Sequence, residues 1–358
     1  MSARIAINGF GRIGRSSFKI ALEKQGLEIS AVNDLTNPRV LAHLLKYDSA
    51  YGIYDKDIYL EEDGKKVSLE DNKGEKDFFS KKGRENYLVV NGKKTLVLAE
   101  KDPTLLPWKE LDIDVVLECT GRFTQENSAD VHIKRGAKKV VVSAPTKGGN
   151  VPIFLLGVNE DQYLGQNIIS NASCTTNCIS PVIDIVNKKF RVLKSVMTTV
   201  HALTNNQSVV DSAPFGEDLD MRRSRASGYN MSPTTTGAAK ATTKVIPELE
   251  GLFDGISVRV PIITGSLSDI TMLVGKKTTA EDVNKAFLEA KKLEKYKNIL
   301  DATYEPITSS DIIGSIYSSI VDLSMTRVVD GDLVKILAWY DNEWGYSNRL
   351  VEMAMMVS

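Results

Sequence analysis

The sequence predicts two domains of different class: an α/β domain with a doubly wound parallel sheet, then an α+β domain with a mainly antiparallel sheet. Two observations carry this reading. In the first half, short β-branched runs alternate with helical patterns, and that alternation favours parallel pairing through helical crossovers. From about Ser195, strand-like runs follow one another without a regular helix between each pair, as in an antiparallel sheet.

The elements follow in order. Ile5–Asn8, Ile29–Asn33, Val115–Cys119 and Val140–Ser143 are β-branched-rich runs of strand length. Ser16–Lys24 and Ala129–Arg135 read as helices preceding the second and fourth of these strands. In Glu61–Asn86, 15 of 26 residues are charged, with both signs mixed, and the rhythm breaks there. A solvated hairpin and loop excursion is the expectation for this stretch. Further on, Val196–Val200, Ile256–Val260, Asp269–Val274 and Leu333–Tyr340 read as strands, with helices at Ala238–Pro247, Ala280–Leu293 and Asn348–Val357.

Composition narrows the class. The chain has 358 residues, long enough for two domains with sizeable cores, and 42% of them are hydrophobic. Lys and Arg (45) nearly balance Asp and Glu (46), so a dedicated nucleic-acid partner is not expected. Three cysteines do not make a secreted disulfide scaffold and fit a reducing compartment. The start resembles no signal segment, and no run approaches the ~18 apolar residues of a membrane helix. A cytoplasmic protein without a membrane partner is expected.

Gly9-Phe10-Gly11-Arg12-Ile13-Gly14 follows a strand and opens a helix, and Asp34 ends the next strand 20 residues past Gly14. Together these form a dinucleotide fingerprint. Two glycines let the backbone approach a pyrophosphate, Gly14 allows close packing, and the helix N-terminus supplies N–H groups. Asp34 would accept from ribose hydroxyls and repel a 2′-phosphate, which favours NAD over NADP.

Ser173-Cys174-Thr175-Thr176-Asn177-Cys178 precedes the helical run Ile179–Lys189, so Cys174 falls at or near a helix N-terminus. The helix dipole there is expected to lower the thiol pKa. Residue types alone leave a buried structural cysteine as the alternative, and Cys178 and Cys119 read as packing. Of the three histidines, His43 and His132 have no partner at ligand spacing, so no metal site is expected. His201 ends a strand and enters a polar loop, where catalytic groups are often presented. Thr234-Thr235-Thr236-Gly237 enters a helix, a natural anion site. Arg259 lies inside an apolar strand and needs a partner, either a buried acid or a phosphate.

In this order, NGFGRIGR, ECTGRF, ISNASCTTNC, TTVHALT, TTTGAAKA and WYDNEWGYSNR closely resemble the phosphorylating glyceraldehyde-3-phosphate dehydrogenases, over nearly the whole chain. The resemblance implies a Rossmann NAD-binding domain over 1–172 and 341–358, to which the last helix returns, and a catalytic domain over 173–340. It implies Cys174 as nucleophile and His201 as general base. Ser173, Thr175, Thr236 and Gly237 would surround the substrate and attacking phosphate, while Thr204 and Arg259 hold the substrate's own phosphate. Arg12, Ile13, Asp34, Thr120, Ser143 and Asn342 would line the cofactor site with Gly9, Gly11 and Gly14. A D2 homotetramer is implied, with the loop Leu203–Asn230 across a subunit interface.

Several features depart from the family pattern. Asn206 stands where an aspartate is customary, 211–221 is longer than usual, and Ile262–Ser266 replaces a Thr-x-Asn-Val pattern. The alternative within the fold is erythrose-4-phosphate dehydrogenase. An RNA- or surface-binding role is the alternative of another class, and the near-zero charge gives it no support.

Overall fold

The central strands of the first half are buried on both faces, as their valine-rich sequences require. In the computed structural model, which describes residues 2–67, 69, 86–213 and 220–358, the strands are β1 (Ala3–Asn8), β2 (Leu27–Asn33), β3 (Ile58–Glu62), β4 (Lys65–Val67), β5 (Asn86–Val90), β6 (Lys93–Leu98), β7 (Val115–Glu118), β8 (Lys139–Val142) and β9 (Ile168–Ser170). They form one nine-stranded sheet in the order β9-β8-β7-β1-β2-β6-β5-β3-β4. Pairing is parallel from β9 through β6 and antiparallel beyond. Helices α1 (Arg12–Glu23), α2 (Pro38–Lys46) and α3 (Asp130–Lys134) belong to the same unit. This is the expected doubly wound α/β architecture. Most of the charged 61–86 stretch lies outside the described residues.

The second unit starts its main helix, α4, at Cys174 and runs it to Phe190. Its other elements are β10 (Val192–His201), β11 (Ser232–Thr235), α5 (Ala238–Val245), β12 (Phe253–Arg259), β13 (Ser266–Val274), α6 (Ala280–Ala290), β14 (Leu300–Thr303), β15 (Ser319–Asp322), β16 (Arg327–Val329) and β17 (Leu333–Tyr340). Strand order is β11-β12-β10-β13-β17-β15-β14, with β16 beside β17. Only β10/β12 and β14/β15 pair in parallel, so the sheet is mainly antiparallel. Alternate residues of β10 and β13 are buried, and α4 packs on that inner face in one apolar core.

The last helix, α7 (Trp344–Val357), begins one turn before the apolar spacing of its sequence suggested. Likewise α1 starts at Arg12 rather than Ser16, because Gly11 caps it and its first turn carries no apolar repeat. Pro181 is the eighth residue of α4, deeper than the first turns where proline costs little. Burial of the residues around it, Asn177 to Val186, offsets the lost hydrogen bond.

The two units comprise 1–152, 164–171 and 350–358 in the first, and 153–163 and 172–349 in the second. The sequence reading divided the chain at 172/173 and 340/341. Ile153 and Leu155 enter the core of the second unit, which accounts for the assignment of 153–163. In the first unit, Lys24 pairs with Glu352 at 3.2 Å. Among the described residues, no helix is long and apolar enough to cross a membrane.

Close packing of α1 on β1 rests on Gly14, where a Cβ would lie 2.1 Å from the Gly9 carbonyl oxygen. Gly14→Ala is therefore expected to destabilise the chain by about 1–3 kcal/mol. A lowered urea midpoint would show this, and an unchanged midpoint would contradict the packing argument.

Candidate active site

The C-terminal ends of β1, β2 and β7 enclose a cavity of about 400 Å³ in the first unit. Asn8, Gly9, Gly11, Asp34 and Thr120 line it. Gly9 has φ +93°, and a Cβ there would lie 2.7 Å from the Thr120 nitrogen, so the loop requires glycine. Around Gly11 nothing lies within 4 Å of a built Cβ, and this residue caps α1 without a side-chain bond. The cradle and the helix N–H groups behind it suit a pyrophosphate. Asp34 has one carboxylate oxygen 2.8 Å from the Phe10 N–H and the other 2.9 Å from the Thr36 N–H. Those bonds hold it at the end of β2.

Other expected cofactor residues are placed differently. Arg12 gives its guanidinium to Asp48 at 2.6 Å, so its backbone N–H is what the loop offers an anion. Ile13 and Ser143 do not line the cavity, and the Ser143 hydroxyl is bonded to Cys119. Asn342 belongs to the second unit. Its Oδ1 accepts from Ser266 (2.8 Å), Gly265 (3.2 Å) and Thr264 (3.3 Å), so the amide oxygen is committed to the protein.

In the second unit, Ser173 caps α4 by accepting from the Thr176 N–H at 3.1 Å. Cys174 is thereby the first residue of the helix. Its Sγ lies 3.4 Å from His201 Nε2. His201 ends β10, in register with Arg259 on β12. Its Nδ1 is 2.7 Å from the Ala202 carbonyl, and with the ring proton on Nδ1, donated to that oxygen, Nε2 turns a lone pair to the thiol. Arg259 Nη1 crowds the same ring, 2.5 Å from Nδ1 and 3.2 Å from the Ala202 oxygen.

Burial and this cation set the ionisation. Burial, with the Arg259 charge adding to it, pushes His201 down to about 3. Burial also pushes the Cys174 thiol up, against the pull of Arg259 and of the Thr175 hydroxyl and N–H. The lowered thiol expected from helix position is thus corrected. Desolvation outweighs the charges in the ligand-free protein, leaving a neutral thiol beside a neutral imidazole.

Thr175 is turned into the core, its hydroxyl 2.9 Å from the Tyr340 hydroxyl, which lies 2.7 Å from that of Thr199. The same hydroxyl also bonds the Cys174 thiol. Thr204 bonds Asn206 Oδ1 at 2.6 Å, so the residue replacing the customary aspartate still orders the loop. Thr236 accepts from the Ala238 N–H at 3.2 Å, and Gly237 caps α5 with open space around it. The sequence reading missed Tyr340, whose ring edge meets His201 at 6.0 Å. Its inward alternation on Leu333–Tyr340 was the available signal. Arg223, in the loop expected across the interface, also acts here, since its charge lowers the pKa of Arg259. Among the described residues, no group of three or more His, Cys, Asp or Glu could hold a metal ion.

Two family models match this chain. "Glyceraldehyde 3-phosphate dehydrogenase, NAD binding domain" covers 3–78 and 76–126, and "Glyceraldehyde 3-phosphate dehydrogenase, C-terminal domain" covers 173–342. Among curated relatives, "Glyceraldehyde-3-phosphate dehydrogenase 2" of Streptomyces avermitilis is 45% identical over 100% of this chain and 99% of its own length. "Glyceraldehyde-3-phosphate dehydrogenase" of Geobacillus stearothermophilus is 43% identical with the same coverage. "Glyceraldehyde-3-phosphate dehydrogenase 2" of Bacillus subtilis is 43% identical over 100% of this chain and 97% of its own. NAD is the dinucleotide of the first unit. The chain belongs to the glyceraldehyde-3-phosphate dehydrogenase family.

Proposed function

We propose that this enzyme converts D-glyceraldehyde 3-phosphate to 1,3-bisphosphoglycerate with NAD and inorganic phosphate, as in glycolysis, through a covalent intermediate on Cys174. The observation that carries the assignment of roles is the Cys174–His201 contact of 3.4 Å, with Arg259 against the same imidazole. Cys174 Sγ attacks the aldehyde carbon, and His201 Nε2 takes the thiol proton. That proton passes to the carbonyl oxygen, giving a hemithioacetal, and Nε2 is then placed to remove it from the new hydroxyl. NAD, when bound, supplies the hydride acceptor that makes this carbon a thioester. Phosphate oxygen then forms a bond to the acyl carbon as the C–S bond breaks, and Cys174 leaves as the thiolate.

Two anions must be held, the substrate's phosphate and the attacking one. Arg259 and Thr204 suit the first. An anion would draw the guanidinium away from the crowded Ala202 carbonyl and relieve its pressure on His201. For the second, the open N-terminus of α5 at Gly237, the Thr236 hydroxyl, Ser173 and the Thr175 N–H are the available donors. Gly9, Gly11, Gly14, Asp34 and Thr120 suit the dinucleotide, as does the Asn342 amide nitrogen for a carboxamide.

A D2 homotetramer is part of this reading. Its support is the apolar character of an exposed segment: Val209 is 81% exposed, and Val210, Met221, Tyr229 and Met231 are exposed with it. Val196 on β10 and Ile256 on β12 extend this to the outer face of the sheet. Pro214 and Phe215, in the loop expected across the subunit interface, lie outside the described residues.

Three tests follow from this chemistry. Cys174→Ala should reduce phosphate-dependent turnover by a factor of about 10⁴ or more while calorimetry still detects NAD binding. Retained turnover would exclude the covalent route. Iodoacetamide alkylation of Cys174 reads the thiolate fraction, which rises as pH passes the thiol pKa. Removing the nearby cation raises that pKa, so Arg259→Leu should move the alkylation midpoint up by about one pH unit. An unmoved or lowered midpoint would contradict the assigned contact. Sedimentation equilibrium at micromolar concentration should show four chains, and a monomer would exclude the tetramer.

A further inference from the structure

Beneath the NAD pocket of the first unit runs a line of buried polar side chains that the reaction does not use. At its centre is Glu118, the last residue of β7, only 1% exposed. One carboxylate oxygen accepts from Asn8 Nδ2 at 2.6 Å and from His132 Nε2 at 3.0 Å. The other accepts from the Thr120 N–H at 2.8 Å and from the Thr120 hydroxyl. Asn8 Oδ1 in turn accepts from Asn33 Nδ2 at 2.8 Å, and Asn33 holds the Glu100 carbonyl at 3.0 Å and the Glu100 N–H at 2.8 Å. At the far end, the Trp108 indole N–H lies 3.0 Å from His132 Nδ1.

The tautomer of His132 follows from this geometry. An indole nitrogen only donates, so Nδ1 accepts and the ring proton sits on Nε2, where it donates to Glu118. Trp108 and His132 are both fully buried and do not line the cavity, whereas Asn8, Asn33, Glu100 and Thr120 do. A buried carboxylate is costly unless its oxygens are satisfied, and here four donors satisfy them. Thr120 in turn packs directly on the phosphate loop, since a Cβ on Gly9 would come within 2.7 Å of its nitrogen. The orientation of Glu118 is therefore transmitted to Thr120 and to the backbone that meets the pyrophosphate.

We propose that His132, locked by Trp108, is a positioning residue for NAD binding: it holds the Glu118 carboxylate turned away from the cofactor and onto Thr120 and Asn8. Without the imidazole, one oxygen loses a donor and the carboxylate is free to rotate towards the pocket. Its negative charge would then stand near the anionic pyrophosphate, and Thr120 would lose its anchor. The proposal rests on the assignment of NAD to this pocket.

The test is calorimetric titration of the full-length enzyme with NAD, together with steady-state kinetics. His132→Leu should raise the NAD Kd and KM by about tenfold. Its kcat and its KM for the aldehyde should stay unchanged. His132→Gln keeps an N–H donor near the Nε2 position and should recover most of the affinity. Trp108→Phe removes only the donor to Nδ1 and should give an intermediate Kd. Folded His132→Leu protein with wild-type affinity would overturn the proposal, as would His132→Gln binding no better than His132→Leu. If the leucine variant does not fold, wild-type NAD affinity in Trp108→Phe overturns it instead. Failure of the wild-type enzyme to bind NAD would count against the assignment of the pocket, a separate result.

Discussion

The parallel register of β10 with β12 sets His201 beside Arg259, and the chemistry proposed for the second unit depends on that pairing. On the inner face of the sheet, this register continues through Ser232 on β11 and Tyr340 on β17, with Ser266 of β13 opposite Tyr340. The next row inward is Thr234, Ser257, Thr199 and Ser268, and below it come Gly255, Met197, Ile270 and Ile336. The sheet thus grades from charged, through hydroxyl-bearing, to apolar along its strands. The charged row lies where α4 begins, and the apolar row lies under its middle.

This grading has a stability cost. The hydroxyls of Thr234 and Ser257 are buried without a protein hydrogen-bond partner. Such groups cost about 1–3 kcal/mol each when nothing satisfies them. Tyr340 ties the rows together, joining Thr199 of the hydroxyl row to Thr175 of α4 while its ring backs His201. Rigid support of this kind holds a thiol and an imidazole in line at the C-terminal end of β10.

The first unit solves a different electrostatic problem. Its pocket must admit an anion among backbone N–H groups, yet the strand ends that form it carry Asp34, Glu118 and the Glu100 loop. Asp34 and Glu118 are each tied down by N–H donors, so neither is free to turn on the phosphates. Glycine where a Cβ would strike the backbone, at Gly9 and Gly14, lets the loop close on that arrangement.

The sequence by itself was enough for the fold class and the phosphate loop, whereas Cys174 and His201 were joined as a pair only through the family resemblance, because residue types alone left a buried structural cysteine open. The first two rest on local rules: strand–helix alternation and glycine spacing. The ionisation of the pair was not legible, because helix position argues for a lowered thiol while burial, a property of the assembled core, pushes it up. Nor was the role of Thr175 legible, since its hydroxyl faces Tyr340, 165 residues away in the chain. His132 read as unremarkable because its partners, Trp108 and Glu118, stand 24 and 14 residues from it, at no motif spacing. Local pattern determines which groups are available and on which element they stand. Only the packing of those elements decides which groups lose water and which charges they meet, and that sets both protonation and direction.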